Sequence, residues 1–123
     1  MKLHADAPSA FNTFTAYGPG FVEINRQRYG HALLVAPEGA VTAWDIGGFE
    51  SLTPAHFERL LALAPEVVLL GTGERQRFPH PRLTAALAQA RVGVEVMDTR
   101  AACRTYNILM AEGRRVLAAL LMD

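Results

Sequence analysis

Four apolar residues in succession, Val67-Val68-Leu69-Leu70, run into Gly71-Thr72-Gly73. A short apolar run with no polar face, stopped by glycine, predicts a strand covered on both sides. Upstream the pattern consists of short alternating stretches separated by turn residues. Phe14 begins it, Gly18-Pro19-Gly20 makes a turn, and Phe21-Val22-Glu23-Ile24 alternates as a strand. Asn25-Arg26 predicts a tight hairpin onto Gln27-Arg28-Tyr29, although arginine fits poorly at a second turn position that needs positive φ. A further strand is expected over 31–36, a turn at Pro37-Glu38-Gly39, and a partner strand over 40–44 before Asp45-Ile46-Gly47-Gly48 breaks the run.

At Thr53 the period lengthens. Thr53 and Pro54 suit an N-cap and first turn, and Phe57, Leu60, Leu61 and Ala64 follow at helical spacing. Pro65 ends that helix and the Val67 strand follows. A polar loop holds Glu74, Arg75, Gln76 and Arg77, after which Pro81 opens a second helix carrying Leu83, Leu87 and Ala90. Residues 92–97 predict another strand, stopped by Asp98-Thr99. From Arg100 to Leu121 apolar residues recur at three and four, which predicts one long helix on the sheet, with Gly113 permitting close contact. The order strands, then helix-strand-helix-strand-helix, defines an α/β fold. Its central strands, around Val67 and Val94, are parallel with a right-handed crossover, and the early meander supplies antiparallel neighbours or a second small sheet.

At 123 residues the chain is long enough for one self-sufficient core, expected as a single domain over 1–123 with a loose lead-in over residues 1–12. Half its residues are hydrophobic and a fifth charged, which excludes disorder. Twelve basic and twelve acidic residues cancel, so no nucleic-acid footprint is expected, and no apolar run is long enough for membrane insertion. A neutral surface leaves room for a homodimer. Cys103 is the single cysteine, which suits a reducing compartment. The first residues lack the apolar segment of a secretion signal and the arginine-rich character of a transit peptide, which points to a cytoplasmic protein.

Candidate chemistry gathers at two places. Gly71, Thr72 and Gly73 end a central strand, where open α/β sheets bind ligands. The dinucleotide fingerprint is incomplete, since Gln76 stands where a third glycine belongs, although Asp98 ends the next strand as a ribose-binding acid would. Glycines there equally let the chain leave a crowded sheet. The second place is Asp98-Thr99-Arg100-Ala101-Ala102-Cys103-Arg104. Asp98 or Thr99 caps the last helix, and Arg100 and Arg104, one turn apart, can hold an anion, pair with Asp98 or Asp45, or form a solvated face, the last weighing equally for Arg100. Cys103 is either activated by the helix start and the arginines or packed as a small hydrophobe with Tyr106 and Met110, and packing is the favoured reading. His4, His31, His56 and His80 are scattered, so no metal site is expected, and no cofactor. Trp44 and Phe49 beside a glycine pair are core aromatics or part of a partner surface. Catalytic residues cannot be assigned.

Several segments together resemble a known family: Leu70-Gly71-Thr72-Gly73, Val94-Glu95-Val96-Met97-Asp98-Thr99, Ala102-Cys103-Arg104-Thr105-Tyr106-Asn107, Glu112-Gly113-Arg114-Arg115-Val116, and the Tyr17-Gly18-Pro19-Gly20 turn. It is the widespread family of small α/β domains of unknown function that includes mitochondrial complex I (NADH dehydrogenase) assembly factor 3 and an adipogenesis-associated relative. The resemblance runs from about Phe14 to Leu121. It implies a three-layer fold with a mixed sheet flanked by helices and an extra β-layer from the N-terminal meander. It implies no established enzyme activity and brings no catalytic residues. It points instead to a binding or assembly role through a protein partner. The alternative from the residues themselves is an anionic small-molecule site between Gly71–Gly73 and Asp98–Arg104.

Overall fold

A computed structural model describes residues 11–123, so most of the expected lead-in and His4 lie outside the described residues. The strands are β1 (Phe14–Gly18), β2 (Phe21–Ile24), β3 (Gln27–Tyr29), β4 (Leu33–Val35), β5 (Thr42–Ala43), β6 (Val67–Thr72), β7 (Gly93–Met97) and β8 (Val116–Leu121). The α-helices are α1 (Pro54–Glu58), α2 (Ala85–Gln89) and α3 (Thr99–Ala111). Short 3₁₀ segments at Phe49–Ser51, Arg59–Leu63 and Pro81–Thr84 extend the helical layer. Strands β1, β2 and β3 form an antiparallel sheet of their own. The other five run in the order β5-β4-β8-β6-β7. Within it β6 is parallel to both β7 and β8, whereas β4 is antiparallel to β5 and β8.

Alternation along the two inner strands separates the cores. Val67, Leu69, Val116, Ala118 and Leu120 face one way and pack with Ala102, Cys103 and Tyr106 of α3 and with Phe14, Val22 and Ile24 of the small sheet. Val68, Leu70, Leu117, Ala119 and Leu121 face the other way, onto Trp44, Phe57, Leu60 and Leu87. The layers are therefore helices, five-stranded sheet, helix α3 and three-stranded sheet. This is the flanked mixed sheet and extra β-layer that the pattern and the resemblance imply. The rings of Phe14 and Tyr106 meet edge to face at 5.1 Å, and the Asn107 amide accepts from Phe14 N (3.0 Å) and donates to Phe14 O (2.9 Å), so α3 holds the edge of β1 as a strand would.

The last expected helix is corrected. Helix α3 stops at Ala111, and residues 116–121 form β8, buried along its whole length between β4 and β6. The stop is local chemistry. Gly113, at φ 83, donates to Met110 O (2.9 Å) while Arg114 N reaches back to Leu109 O (3.1 Å), the paired bonds of a Schellman turn. A Cβ on Gly113 would meet nothing within 4 Å, so this glycine serves the turn and not the close contact expected of it. The apolar spacing of Val116, Leu117 and Leu120 misleads because a strand covered on both faces is apolar at every position and fits any period.

Other departures are smaller. The helix expected from Thr53 tightens into 3₁₀ geometry after Glu58 and ends in left-handed Ala64 (φ 51). Asn12, placed in the lead-in by sequence, is tied to the Pro37 turn through Ala36 O (2.8 Å) and Gly39 O (2.9 Å). The Asn25-Arg26 hairpin forms with φ values of 50 and 72, so arginine carries a left-handed conformation. Among the described residues no helix is long and apolar enough to cross a membrane.

Two substitutions at left-handed positions should act in opposite directions. Gly113→Ala forces a Cβ into φ 83 and is expected to destabilise by about 1 kcal/mol, whereas Arg26→Gly relieves the strain at φ 72 and is expected to stabilise by about 0.5–1 kcal/mol. Urea denaturation midpoints compare the two, and equal signs would refute the turn assignments.

Candidate functional site

Strands β6 and β7 run in register and deliver their carboxyl ends beside the start of α3. That arrangement brings Gly71, Thr72, Gly73, Asp98, Thr99 and Arg100 together. The Asp98 carboxylate accepts from Ala101 N at 2.9 Å and so caps α3. Thr99, the first residue of the helix, is buried, and its hydroxyl is used twice: it accepts from Gly73 N (2.8 Å) and donates to Leu121 O (2.7 Å). Thr99 N also donates to Gly73 O at 2.9 Å. One side chain thus ties the ends of β6 and β8 to the first turn of α3.

Thr72 is spent in the same way. Its buried hydroxyl donates to Arg75 O (2.7 Å), with Met97 O at 3.3 Å, and accepts from Arg77 N (3.0 Å). The loop after β6 therefore curls back over its own strand. Arg77 completes the closure: its guanidinium donates to Thr72 O (2.8 Å through Nη2), pairs with Asp123 at 3.1 Å and lies 4.7 Å over the Phe49 ring. Asp123 in turn accepts from Phe49 N (3.1 Å), and Gln76 covers the outer edge of β7 by donating to Val96 O (2.8 Å). At Gly71 an added Cβ would lie 2.8 Å from Leu120 and 3.1 Å from the Thr99 backbone, so glycine here lets helix and strand touch.

The remaining members of the expected set lie apart. Cys103 is fully buried in the core cluster with Phe14 and Val22. Burial pushes its thiol up to about 12, with the Arg104 charge opposing this only in part. Arg104 lies on the surface, where its guanidinium donates to Tyr17 Oη at 3.3 Å, and Arg100 is exposed. Among the described residues neither arginine forms a salt bridge, with Asp98, Asp45 or any other acid. The space left between the Gly18–Gly20 turn, Gly73 and Arg100 is about 10 Å³, room for roughly one water. Trp44 is core, packed edge to face on Phe57, and Phe49 takes its place under Arg77. Sequence reasoning missed Arg77 and Asp123 because their separation in the chain conceals their meeting at the end of a strand that had been read as helix.

Among the described residues no group of three potential metal ligands converges. The junction is a knot of internal hydrogen bonds: it positions strand ends, and the hydroxyls of Thr72 and Thr99 already hold partners. The family described as a protein of unknown function (DUF498/DUF598) matches residues 14–121. A crystal structure of a Bordetella parapertussis protein superposes with a TM-score of 0.88 at 51% identity, covering 93% of this chain and 98% of that one. The bovine (Bos taurus) NADH dehydrogenase [ubiquinone] 1 alpha subcomplex assembly factor 3 is 34% identical over 97% of this chain, which spans 65% of the factor's length. A Francisella tularensis protein named 13 kDa major membrane protein is 32% identical over 94% of this chain and 95% of its own length.

Thr99→Val keeps the shape of the side chain but orphans Gly73 N and Leu121 O, and it is expected to cost about 2–4 kcal/mol, while Thr99→Ser, which keeps both bonds, should cost less than about 1 kcal/mol. Equal losses in chemical denaturation would show that the hydroxyl is dispensable. For Cys103 the thiol lies above its ordinary value of 9.0 in the folded chain, so its contribution to stability is intact below about 9 and lost as pH climbs toward about 12. Thiol-labelling reagent at pH 8 should accordingly modify Cys103 only at the rate of unfolding.

Proposed function

The chain belongs to the DUF498/DUF598 family of unknown function, and from that premise we propose that it is a non-enzymatic binding domain of the assembly-factor kind, working through protein contacts. The observation that carries the reading is the similarity to complex I assembly factor 3, which extends over 97% of this chain. The junction supports it from the other side. The Thr72 and Thr99 hydroxyls, gathered where an α/β sheet offers its ligands, are bonded to the chain itself and have no base beside them among the described residues. The two most exposed large apolar side chains among the described residues are Phe78 (70%) on the loop after β6 and Ile108 (60%) on α3. Such residues serve as anchors when a partner closes over them.

We place the protein in the cytoplasm, on the absence of any membrane-crossing helix among the described residues and on a single unpaired, buried cysteine. The Francisella relative's name makes this a point to measure.

Affinity purification of the tagged chain from its native cell is expected to recover a protein partner that Phe78→Asp or Ile108→Asp releases without loss of folding. Recovery of nothing above background counts strongly against the assembly reading. Fractionation of the same cells should leave the chain in the supernatant, and its sedimentation with membranes would overturn the cytoplasmic placement.

A further inference from the structure

A far larger space than that at the junction lies at the other end of the parallel strands. It is a cavity of about 430 Å³ where β6 and β8 begin and α3 ends. Its walls include Leu63, Pro65, Met110 and Val116, and three charged residues, Glu38, Arg114 and Arg115, stand among them. The volume falls within the range of small-molecule sites, about 300–1,000 Å³, and at about 30 Å³ per water-sized group it admits roughly fourteen such groups. Leu63 is 52% exposed at this site, although an isolated leucine gains by burial.

The charges here are unequally committed. Glu66 accepts from Arg114 Nε and Nη2 (3.3 and 3.2 Å) and from Arg115 N (3.0 Å), and these bonds hold its carboxyl below the usual range. Arg114, which also lines the cavity, is thereby neutralised. Arg115 is anchored differently, by its backbone N to Glu66 and its Nε to Ala64 O at 3.3 Å. Among the described residues neither of its two terminal amino groups has an acceptor. A guanidinium held at its inner nitrogen with its outer fork unspent matches one carboxylate in two-point geometry. Glu38 repels a second negative charge. The apolar walls take a chain, and Met110, flexible and polarisable, adapts to it.

We propose that this cavity binds a medium-chain aliphatic monocarboxylate of roughly ten carbons, its head on Arg115 and its chain along Leu63, Pro65, Met110 and Val116. This goes beyond the protein-contact reading and stands independently of it, since the site lies at the opposite end of the sheet from the knotted junction.

The test titrates the full ¹⁵N-labelled chain with sodium decanoate below its micelle threshold and follows amide shifts. Saturable shifts centred on Leu63, Gly113 and Val116 are expected, with affinity falling about fourfold for each methylene removed on going to octanoate and hexanoate. Suberate, a dianion of octanoate's length, should bind at least tenfold more weakly than octanoate, and decyltrimethylammonium at least tenfold more weakly than decanoate. Arg115→Gln should lose at least tenfold in affinity. Leu63→Glu, a change at a half-exposed position that the fold tolerates, should do the same even where Arg115→Gln proves unstable, while exposed Arg82→Gln outside the cavity should bind as the parent does. Absence of saturation at millimolar decanoate, shifts centred on Thr72 and Thr99, or equal affinity for the cationic amphiphile would each overturn the proposal.

Discussion

The structure depends on the burial of β8. A strand with no exposed face cannot satisfy its backbone from water, so each N–H and C=O needs a neighbour on either side. β6 supplies one, in parallel register from Val67–Val116 to Thr72–Leu121, and β4 supplies the other, antiparallel from Leu33–Leu120 to Val35–Ala118. This one strand therefore joins the parallel βαβ half of the chain to the N-terminal antiparallel half. The mixed sheet follows from that requirement. Both cores follow too, since alternate residues of β8 belong to opposite hydrophobic clusters.

Seating such a strand also fixes where it must end. The last carbonyl of β8 sits beside the first turn of α3, and the Thr99 hydroxyl bonds it. A threonine at the first helical position is an ordinary choice for a helix start, so its residue type discloses nothing of this work. In three dimensions the same oxygen links β6, β8 and α3, three elements that meet from distant parts of the chain. The hydroxyls of Thr72 and Thr99, chosen from sequence as ligand contacts, here meet the demand that buried backbone groups be paired. Gly71 lets helix and strand approach too closely for a side chain, and Gly73, at φ 93, leaves room for the Asp123 backbone.

Much of the fold was legible because local signals were strong. Val67–Leu70 has the length and composition of a covered strand, Thr53-Pro54 and Pro81 mark helix starts, and Asn25-Arg26 closes its hairpin despite an unsuitable second residue. What was not legible was β8. Leucine and alanine favour helices, and six apolar residues after a helix read as its continuation. The signal that separates the two is Glu112-Gly113, a helix stop, followed by two arginines and an apolar run as long as β6. The site suffered from the same error. With residues 116–121 taken as helix, neither Asp123 beside Arg77 nor Leu121 beside Thr99 could be foreseen.

The two ends of the sheet now stand in contrast. Open parallel sheets offer ligands a crevice at their carboxyl ends because adjacent connections part there to opposite faces. In this chain the connections from β6 and β7 do leave for opposite faces, toward α2 and α3. The crevice that should result is closed by the curl of the Thr72 loop and by Arg77, whose guanidinium lies across it from Thr72 to Asp123 and Phe49. Among the described residues no comparable cover lies over the amino ends. Ala64 and Gly113, both left-handed, end the preceding helical segments before β6 and β8 begin, and the cavity walled by Leu63, Pro65, Met110 and Gly113 lies there. Polar groups lock one end of the sheet, while the other holds a cavity of about 430 Å³ and a guanidinium fork that has no acceptor among the described residues.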